Sequence, residues 1–492
     1  MDAEKFVWDI NELEASAKNL HNRTLLKQQN FENCFNFTFY CKIMFIFVYY
    51  LQINSIIMLL QFSVKNFKTF KEKTSLNLVA SNYDKDTREV DNIYFDNKFD
   101  IRLLKSAVVY GANASGKSKF FEALNFMKYF VISSSKDSKK GDELDTEPFK
   151  LSSETENSPS EFEVVFTHND VMFRYGFEVD KKSVISEWLY YKPKTKEIEL
   201  FYRDGNIFET HTRNFTKGKT VIKEGLVRNN ALLLSVSAQF NDKTSIEVMD
   251  WFKELKTISG LNEFGYRGFT LSKTEDPNQK VKILNLLKAA DLGIQDINLE
   301  KIDLANLPKE MPKELKDRIT KEVIDDKKEI FSDVLTFHKK YDSHKKVIDS
   351  VHFSMFDDES SGTKKFFALT GPILDVIENG YTLIVDELDS KLHPNLVCKI
   401  VSLFNSKEFN KKNAQLIFNT HDTNLLSSGL FRRDQIWFTE KNKFGEAKLY
   451  SLADFKSDEV RKTESFEENY IKGKYGAIPY LGFFNSLNHI LP

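Results

Sequence analysis

Residues Gly111–Ser118 read GANASGKS, which fits G-x-x-x-x-G-K-[ST] at every fixed position and limits the chain to a small set of architectures. The apolar run 107–110 before this octapeptide predicts a buried strand. Apolar residues after it recur at helical spacing and predict a helix; they are Phe120, Phe121, Leu124, Met127 and Phe130. A glycine-rich turn between a strand and a helix presents backbone N–H groups to an anion, so the octapeptide predicts a phosphate-binding loop.

The residue types in this loop suit a nucleoside triphosphate. Gly111 and Gly116 let the backbone approach phosphate oxygens without a Cβ in the way. Lys117 offers a positive charge to the β- and γ-phosphates, and Ser118 offers a hydroxyl to Mg²⁺. The candidate ligands of the loop are Gly111, Asn113, Ser115, Gly116, Lys117, Ser118 and Lys119.

Two adjacent carboxylates follow a second apolar run. Residues 382–385 predict a buried strand that ends at Asp386 and Glu387. Ligands of open α/β sheets bind at the carboxyl ends of the strands. Asp386 would hold Mg²⁺ together with Ser118, while Glu387 would act as the base that polarises a water molecule for attack on the γ-phosphate. Taken alone this pattern equally fits a capped strand end, but together with the loop it favours a hydrolytic site.

A third motif, ESSGT at 359–363, directly precedes a predicted helix. Ser360 and Gly362 would therefore lie at a helix N-terminus, which is a second anion-binding position. Such a sequence is by itself more often a helix cap than a ligand. Two anion sites with one nucleotide per chain favour a head-to-tail pair of chains. A fourth motif, NTH, ends at His421 after the apolar run 415–418, at the same predicted sheet edge.

In this order the four motifs resemble those of ABC-class ATPase heads, the group that contains RecF, the SMC proteins and the OLD-like ATPases. Five phrases resemble the stand-alone AAA-type ATP/GTP phosphatases linked to phage abortive infection, such as RloA and AbiL-like proteins. They are ESSGTKK from Glu359, DELDSKLHP from Asp386, DQIWFTE from Asp434, LYSLADF from Leu449 and YGAIP from Tyr475. The resemblance runs from about Met58 to the C-terminus and is faint between about 135 and 350.

This resemblance implies an ATPase that uses ATP and Mg²⁺ in a composite site between two heads. Lys117, Ser118, Asp386 and Glu387 would act within one chain, while Ser360 and Gly362 of a second chain would cover the γ-phosphate. His421 corresponds to the switch histidine that touches the γ-phosphate. The implied partners are a homodimer or higher homo-oligomer and a separate effector, an RloB-like or Toprim-type nuclease, because the chain after His421 is short for a nuclease domain.

Two departures from the pattern are informative. Ser361 and Thr363 replace a glycine and a glutamine of the transporter signature, which points away from transport. The glutamine that usually links the metal site to the regulatory lobe has no secure position, and Gln239 is a guess. The competing interpretation is a RecF- or SMC-like ATPase that repairs or clamps DNA.

The predicted fold class is α/β: a P-loop NTPase head of the ABC type with an antiparallel β lobe and an inserted helical subdomain. Alternating runs at 162–166 and 172–177 indicate the lobe. Helical spacing between 251 and 287, with a charged stretch at 313–328, indicates the insertion. The predicted domains are an N-terminal extension 1–57, the N-terminal half of the head 58–147, the β lobe 148–245, the helical insertion 246–345 and the C-terminal half of the head 346–492.

The N-terminal region allows more than one interpretation. Residues 43–64 carry no charge and are long enough to span a membrane as a helix, but Gln52 and Asn54 interrupt them and 59–64 is needed as the first strand of the head. The strand and the NFKTF that follows resemble the opening of RecF- and SMC-like heads, so Met58 fits a start codon. Residues 1–57 are then an extension, a mis-assigned start or a membrane-associated segment.

Composition adds little constraint on partners. A net charge of −2 and short, interrupted basic clusters give no reason to require nucleic acid, although they leave it open. The three cysteines lack the spacing of a metal site or a disulfide framework, which favours a reducing cytoplasm.

Overall fold

The computed structural model describes residues 57–82, 87–136, 141–210, 214–301, 331–456, 460 and 464–479. The predicted extension 1–57, apart from Ile57, and the charged stretch at 313–328, which is typical of an exposed helix, lie outside these ranges. The described strands are β1 Met58–Lys65, β2 Thr74–Asn77, β3 Ile93–Asp96, β4 Ile101–Leu104, β5 Ser106–Gly111, β6 Ser160–His168, β7 Val171–Val179, β8 Val184–Lys192, β9 Ile198–Asp204, β10 Ile207–Glu209, β11 Lys256–Ser259, β12 Asp296–Lys301, β13 Phe331–Tyr341, β14 Val347–Ser354, β15 Thr382–Asp386, β16 Gln415–Asn419, β17 Ile436–Lys441 and β18 Ala447–Ser451. The described helices are α1 Glu89–Asn92, α2 Lys117–Ser133, α3 Thr216–Lys223, α4 Leu233–Gln239, α5 Lys243–Glu254, α6 Phe264–Thr274, α7 Pro277–Ala289, α8 Ser361–Asn379, α9 Pro394–Asn405, α10 Asn424–Ser427 and α11 Phe466–Ile471.

Six of the described strands form a mainly parallel sheet in the order β11-β15-β16-β5-β17-β18, in which β18 runs antiparallel to β17. β5 and β16 are buried along their whole length, as expected for parallel strands covered on both faces. The strands predicted at 107–110, 382–385 and 415–418 are confirmed. Because β5, β15 and β16 are parallel neighbours, the motifs that follow them lie at one edge of the sheet.

Seven described strands form an antiparallel sheet in the order β10-β9-β8-β7-β6-β1-β2. The predicted alternating runs lie in β6 and β7, where buried and partly exposed residues alternate. β1 includes the segment 59–64 that the sequence required as the first strand of the head. The predicted β lobe therefore shares its sheet with the first strand of the chain's head.

Helix α2 is anchored to the antiparallel sheet by aromatic side chains. The ring centroids of Phe120 and Phe62 lie 5.3 Å apart, and those of Phe130 and Phe177 lie 5.4 Å apart. Full burial of such a side chain stabilises a fold by roughly 1.5–3 kcal/mol. The apolar face predicted from the helical spacing after Lys117 thus fixes the helix that begins at the glycine-rich loop.

The segment 246–345 is helical only in part. Trp251, Phe252, Ile283 and Leu287 are buried on α5 and α7, as their spacing predicted. The same segment also contains β11, which joins the parallel sheet, and β12 and β13, which with β14 form an antiparallel sheet of three described strands. Lysines interrupt the alternation of β13, which is why the sequence pattern missed these strands.

The buried side chain of Gln415, at the start of β16, connects the two large sheets. Its Oε1 accepts hydrogen bonds from the N–H of Leu59 at 2.7 Å and from the hydroxyl of Thr382 at 3.0 Å. Its Nε2 donates to the carbonyls of Leu59 at 3.0 Å and Leu104 at 2.9 Å. One amide therefore satisfies buried backbone groups where the sheets meet.

The predicted fold class is confirmed: a mixed α/β fold with a P-loop on a parallel sheet and an antiparallel sheet beside it. Among the described residues, no helix has the length and apolar character needed to cross a membrane.

Candidate nucleotide-binding and hydrolysis site

The glycine-rich loop connects β5 to α2 and is held in a conformation that suits glycine. Gly116 caps α2 with φ 117°, and Ala114 also has a positive φ of 60°. A Cβ at Gly116 would lie 3.1 Å from Ala447 and 3.2 Å from the hydroxyl of Thr69. The loop therefore curves tightly around the N-terminus of α2, where backbone N–H groups have no partner within the helix.

Ser115 fastens the loop to the neighbouring strand. Its buried hydroxyl lies 2.6 Å from the hydroxyl of Thr439 in β17, whose backbone pairs with Gly111. Asn113, at the tip of the loop, is exposed. Ser115 therefore has a structural role in the loop, whereas the side chain of Asn113 is accessible to a ligand.

Lys117 is buried and points back into the loop. Its amino group donates to the carbonyls of Gly111 at 2.7 Å and Ala112 at 3.1 Å. Burial lowers the pKa of Lys117 to about 8, while the negative charges of Glu387 and Asp386 act in the opposite direction. A phosphate in the loop would add negative charge and favour the protonated lysine.

Asn419 holds the two adjacent carboxylate residues together. The fully buried Asn419, at the end of β16, donates from Nδ2 to Oδ1 of Asp386. Its Oδ1 accepts the backbone N–H of Glu387 at 2.6 Å. The side chain of Asp386 and the backbone of Glu387 are therefore positioned by one amide.

Glu387 has a left-handed backbone, with φ 57°. Non-glycine residues rarely adopt this conformation, and it persists where the surroundings hold it. Gly260, which follows β11, donates its N–H to the carbonyl of Asp386 at 2.6 Å, and a Cβ at Gly260 would overlap the carbonyl of Glu387. The turn at Glu387 is thus enclosed by the edge strand β11 as well as by Asn419.

His421 is exposed at the same edge of the sheet. Its backbone N–H donates to Oδ2 of Asp389 at 3.2 Å, and Oδ1 of Asp389 is buried without a hydrogen-bond partner among the described residues. Burial, followed by the charge of Lys117, lowers the pKa of His421, against the opposing charges of Asp389 and Glu387. A neutral imidazole therefore lies near the lysine of the loop at neutral pH.

The ESSGT motif begins a helix, as predicted. Ser360 is the N-cap of α8, and its hydroxyl accepts the N–H of Thr363 at 3.1 Å. Glu359 accepts hydrogen bonds from Nε2 of His338 at 2.8 Å and from the hydroxyl of Thr336 at 2.7 Å, both on β13. A Cβ at Gly362 would lie 2.9 Å from the carbonyl of Lys391. The motif is therefore packed against the segment that follows Glu387 and against the three-stranded sheet.

A cavity of about 190 Å³ lies between α2 and the edge of the parallel sheet. Ser118 and Asp386, the two candidate Mg²⁺ ligands, both line it. Thr257 and Ser259 of β11 form part of the opposite wall. Two oxygen ligands at one cavity suit a hard cation that keeps several of its waters.

The structure thus groups most of the predicted site and separates a few residues from it. Lys117, Ser118, Asp386, Glu387 and His421 share one edge of the sheet. Lys119 is engaged on α2, where its amino group lies 2.8 Å from Glu122. The guessed Gln239 is an exposed residue of α4, a helix tied to the far end of α2 by the hydrogen bond from Ser235 to the carbonyl of Val131 at 2.6 Å.

Sequence reasoning missed several residues that touch this site. They are Ser259 and Gly260 beside Asp386, Lys365 against the turn at Glu387, and Thr439 against the loop. The position of β11 next to β15 follows from pairing between distant segments. The sequence did contain an indication for Lys365. A lysine on an otherwise apolar face of a helix needs buried hydrogen-bond acceptors, which predicts a close contact with backbone carbonyls.

A glycine-rich loop on a parallel sheet, with carboxylates after a neighbouring strand, defines the class of P-loop nucleoside-triphosphatase heads. Residues 106–427 match the family described as "AAA domain, putative AbiEii toxin, Type IV TA system". The chain belongs to this family.

Three solved structures of SMC heads resemble the chain in fold. The SMC head domain from Thermotoga maritima is 11% identical with a TM-score of 0.37, and the alignment covers 80% of this chain and 98% of that one. The SMC head bound to the C-terminal winged-helix domain of ScpA is 13% identical with a TM-score of 0.40, covering 80% and 97%. The Pyrococcus furiosus SMC head with an extended coiled coil, bound to the C-terminal domain of ScpA, is 14% identical with a TM-score of 0.32, covering 80% and 96%. No curated protein is similar enough in sequence to count as a relative.

Proposed function

We propose that the chain binds ATP with Mg²⁺ and hydrolyses the β–γ phosphoanhydride bond. The observation that carries the proposal is the arrangement of Asn419, which holds Asp386 and Glu387 at the strand end beside the loop lysine. The negative charges of Glu387 and Asp386 act on the amino group of Lys117, so the loop and the two carboxylates lie close enough to bind the same ligand. This supports a site in which a triphosphate and its attacking water meet.

The residues of the loop divide the work of binding. The backbone of Gly111–Lys117 surrounds phosphate oxygens, and Asn113 at the exposed tip reaches the outer face of the nucleotide. Lys117 exchanges its bonds to the loop carbonyls for bonds to the phosphates. Lys119, in the first turn of α2, is paired with Glu122 and takes no part in this division.

The donor set at the neighbouring cavity fits Mg²⁺. Ser118 offers a hydroxyl and Asp386 a carboxylate, and hard oxygen ligands of this kind suit the ion. When bound, Mg²⁺ supplies charge stabilisation to the β- and γ-phosphate oxygens. Asn419 keeps the carboxylate of Asp386 oriented by its hydrogen bond.

Glu387 serves as the base for hydrolysis. Its carboxylate accepts a proton from water as the water oxygen forms a bond to the γ-phosphorus. The bond between the γ-phosphorus and the bridging oxygen breaks, and its electron pair remains on ADP. The neutral His421 donates a hydrogen bond to a γ-phosphate oxygen, and Lys117 balances the charge that moves to the β-phosphate. The products are ADP and inorganic phosphate.

The active unit is a head-to-tail dimer gated by nucleotide. Ser360 and Gly362 lie at an exposed helix start, which suits contact with a γ-phosphate held by a second chain. Two exposed apolar residues lie shortly after β11: Phe264 is 69% exposed and Leu261 is 54% exposed. Arg267, over the rings of Phe264 and Phe356 at 4.6 and 4.2 Å, connects the apolar patch to the segment before Ser360. A second copy of the chain would cover both features.

In the cell, the chain serves as the ATP-driven subunit of an anti-phage system of the abortive-infection type. The family description, with its reference to AbiEii and to type IV toxin–antitoxin systems, supports this role. The finer resemblance to RloA and AbiL-like proteins supports it as well. A separate nuclease of the RloB-like or Toprim type would act as the effector.

Glu387→Gln tests the hydrolytic role. We expect the substitution to slow ATP turnover by about 10²–10⁴-fold, because the base is lost while the loop is intact. Phosphate release at saturating ATP and equilibrium binding of a fluorescent ATP analogue measure the two properties. Glu408→Gln, the same change at an exposed glutamate after α9, is the control and should retain the parental turnover. A Glu387→Gln protein that hydrolyses ATP at the parental rate would show that the base is another group.

A further inference from the structure

Lys365, the fifth residue of α8, is a fully buried lysine whose amino group makes three hydrogen bonds. Nζ donates to the carbonyls of Leu388 at 3.0 Å and Glu387 at 3.3 Å, and to the carbonyl of Ser390. Its exposure is 0%. All three protons of the ammonium are thus used on the turn that contains the candidate base.

The environment of Lys365 costs free energy that a packed apolar side chain would avoid. Burial lowers the pKa of its amino group to about 8. Burial of an ammonium is costly unless its hydrogen bonds are satisfied, and the three carbonyls supply those bonds. Its three acceptors define where the 387–390 turn lies relative to α8.

A second contact joins the same two elements. A Cβ at Gly362, in the first turn of α8, would lie 2.9 Å from the carbonyl of Lys391. The start of α8 and the 387–391 turn therefore touch at Gly362 and again at Lys365. On its other side the turn is held by Asn419 and Gly260. A displacement of α8 would move the backbone of Glu387 against these two fixed neighbours.

We propose that Lys365 is a positioning residue that couples the start of α8 to Glu387, so that contact of Ser360 and Gly362 with the nucleotide of a second chain sets the orientation of the base. This inference rests on the proposed function. In each chain, α8 would contact the nucleotide bound by the second chain. The same helix would position Glu387 of its own chain, and so link the two composite sites. Hydrolysis in the two sites is then coupled.

Lys365→Met tests the coupling, because methionine fills the buried volume without the three hydrogen bonds. We expect kcat to fall by about 10–100-fold, since a small misplacement of a catalytic group has an effect of this size. The KM for ATP and the equilibrium affinity for nucleotide should change less than about threefold, because the loop is not touched. The dependence of rate on ATP concentration should lose the sigmoidal shape expected of the parental protein.

Lys128→Met is a matched control. Lys128 is a half-buried lysine whose pKa is likewise lowered to about 8 by burial, and its amino group donates to the carbonyl of Leu255 at 2.7 Å, away from Glu387. The control should keep the parental kcat and the sigmoidal shape. If Lys365→Met does not fold, Lys365→Arg replaces it, because a planar guanidinium keeps the charge but cannot meet three converging carbonyls in the same way. We expect kcat of this variant to fall severalfold at unchanged KM.

The outcomes separate the two proposals. Parental protein that hydrolyses ATP cooperatively, with Lys365→Met or Lys365→Arg lowered in both kcat and cooperativity at nearly unchanged KM, supports the coupling. Parental protein that hydrolyses ATP without cooperativity, or folded Lys365 variants that keep the parental cooperativity, overturn the coupling and leave the proposed ATPase intact. Parental protein that binds no ATP overturns the proposed function, and the coupling with it.

Discussion

At the scale of the residue, Gly260 is a case in which the absence of a side chain determines the geometry of a candidate catalytic group. A Cβ at this position would overlap the carbonyl of Glu387 and lie 2.9 Å from the carbonyl of Asp386. The backbone of Gly260 lies outside the positive-φ region, so the requirement is for space and not for glycine's conformational freedom. The edge strand β11 therefore fits against Glu387 because a glycine follows its last residue.

Gly260→Ala should displace the turn at Glu387 and lower kcat by about 10-fold or more, since misplacement of a catalytic group is costly. Steady-state phosphate release and nucleotide binding measure the effect, and binding should be nearly unchanged. Gly265→Ala is the control: it lies nearby in α6, and a Cβ there meets nothing within 4 Å. That control should be active and, as alanine is the better helix former, up to about 1 kcal/mol more stable. Equal kcat in both variants would show that the close approach of Gly260 to the carbonyl of Glu387 does not position the catalytic group.

The buried ammonium of Lys365 should also be visible in the pH dependence of stability. Its pKa is about 8 in the folded chain against an ordinary 10.5, so between these values the unfolded chain binds the proton more tightly. The free energy of unfolding contributed by this group then rises with pH by roughly 1 kcal/mol per unit across that window. The charges around it are Asp389, Glu263 and Glu387, which favour its protonation, and Lys391, which opposes it.

Urea unfolding of the parental protein and of Lys365→Met, at pH 7.5 and 9.5, checks this sign. The difference between the two free energies of unfolding should shift in favour of the parental protein at the higher pH. The subtraction cancels the titration of the other lysines. A difference that stays constant over the two pH values would mean that the lysine has no depressed pKa in the folded chain.

At the scale of the element, the sequence predicted those parts of the site whose structure depends on residues adjacent in sequence. The loop at Gly111–Ser118 and the carboxylates at Asp386 and Glu387 follow from local patterns, because a glycine-rich turn or a strand end has the same chemistry in many contexts. Gly260 and Lys365 could not be recognised in this way. Their roles arise when β11 pairs with β15 and when α8 packs on the turn at Glu387, and both pairings join distant segments.

The three-stranded sheet was missed for a related reason. β14 is largely exposed, so its sequence lacks the apolar alternation of a half-buried strand. Lys339 and Lys340 interrupt the pattern of β13. The hydrogen bonds from His338 and Thr336 to Glu359 show that this sheet nonetheless supports the residue before Ser360. Exposed strands of this kind are recognised by their pairing and not by their composition.

The hydrogen bonds of Gln415 predict that its side-chain amide stabilises the junction of the two large sheets. Gln415→Leu would leave the N–H of Leu59 and two buried carbonyls without partners, which should destabilise the fold by roughly 2–5 kcal/mol. The urea midpoint of unfolding, followed by tryptophan fluorescence, measures this loss. Gln61→Leu is the control, because its half-buried amide donates to the nearby hydroxyl of Ser63 and satisfies no distant backbone group in that contact. A loss of equal size in both variants would show that the amide does not join the sheets.

At the scale of the whole molecule, the question is whether one chain or two complete the active site. The described chain places Ser360 at an exposed helix start on the far side of the turn from Asn419, packed against its own 387–391 segment. A γ-phosphate bound in its own loop would be served by Lys117 and His421. Ser360 is therefore suited to contact a nucleotide bound by a second chain. An isologous pair of chains would then form two identical composite sites.

Mixing two inactive variants should restore activity if the site is composite. Ser360→Arg blocks the start of α8 with a bulky cation, and Lys117→Ala removes the loop lysine, so each homodimer has two defective sites. A mixed dimer combines the intact loop of one chain with the intact α8 of the other. In an equal mixture, half of the dimers then carry one working site of two, which sets a ceiling of about a quarter of the parental turnover. The chain that supplies the intact loop also carries the altered α8, so the coupling through Lys365 lowers the recovery below this ceiling without abolishing it.

The control mixes Ser360→Arg with the double variant Lys117→Ala, Ser360→Arg. Every intact loop in that mixture faces an altered Ser360, so turnover should stay at the level of the single variants. Recovery in the first mixture and not in the second requires that loop and helix come from different chains, because no single chain in either mixture carries both intact. If Ser360→Arg alone keeps parental turnover, or if the first mixture recovers no more turnover than the second, the composite site is overturned and the apolar patch at Leu261 and Phe264 serves another contact.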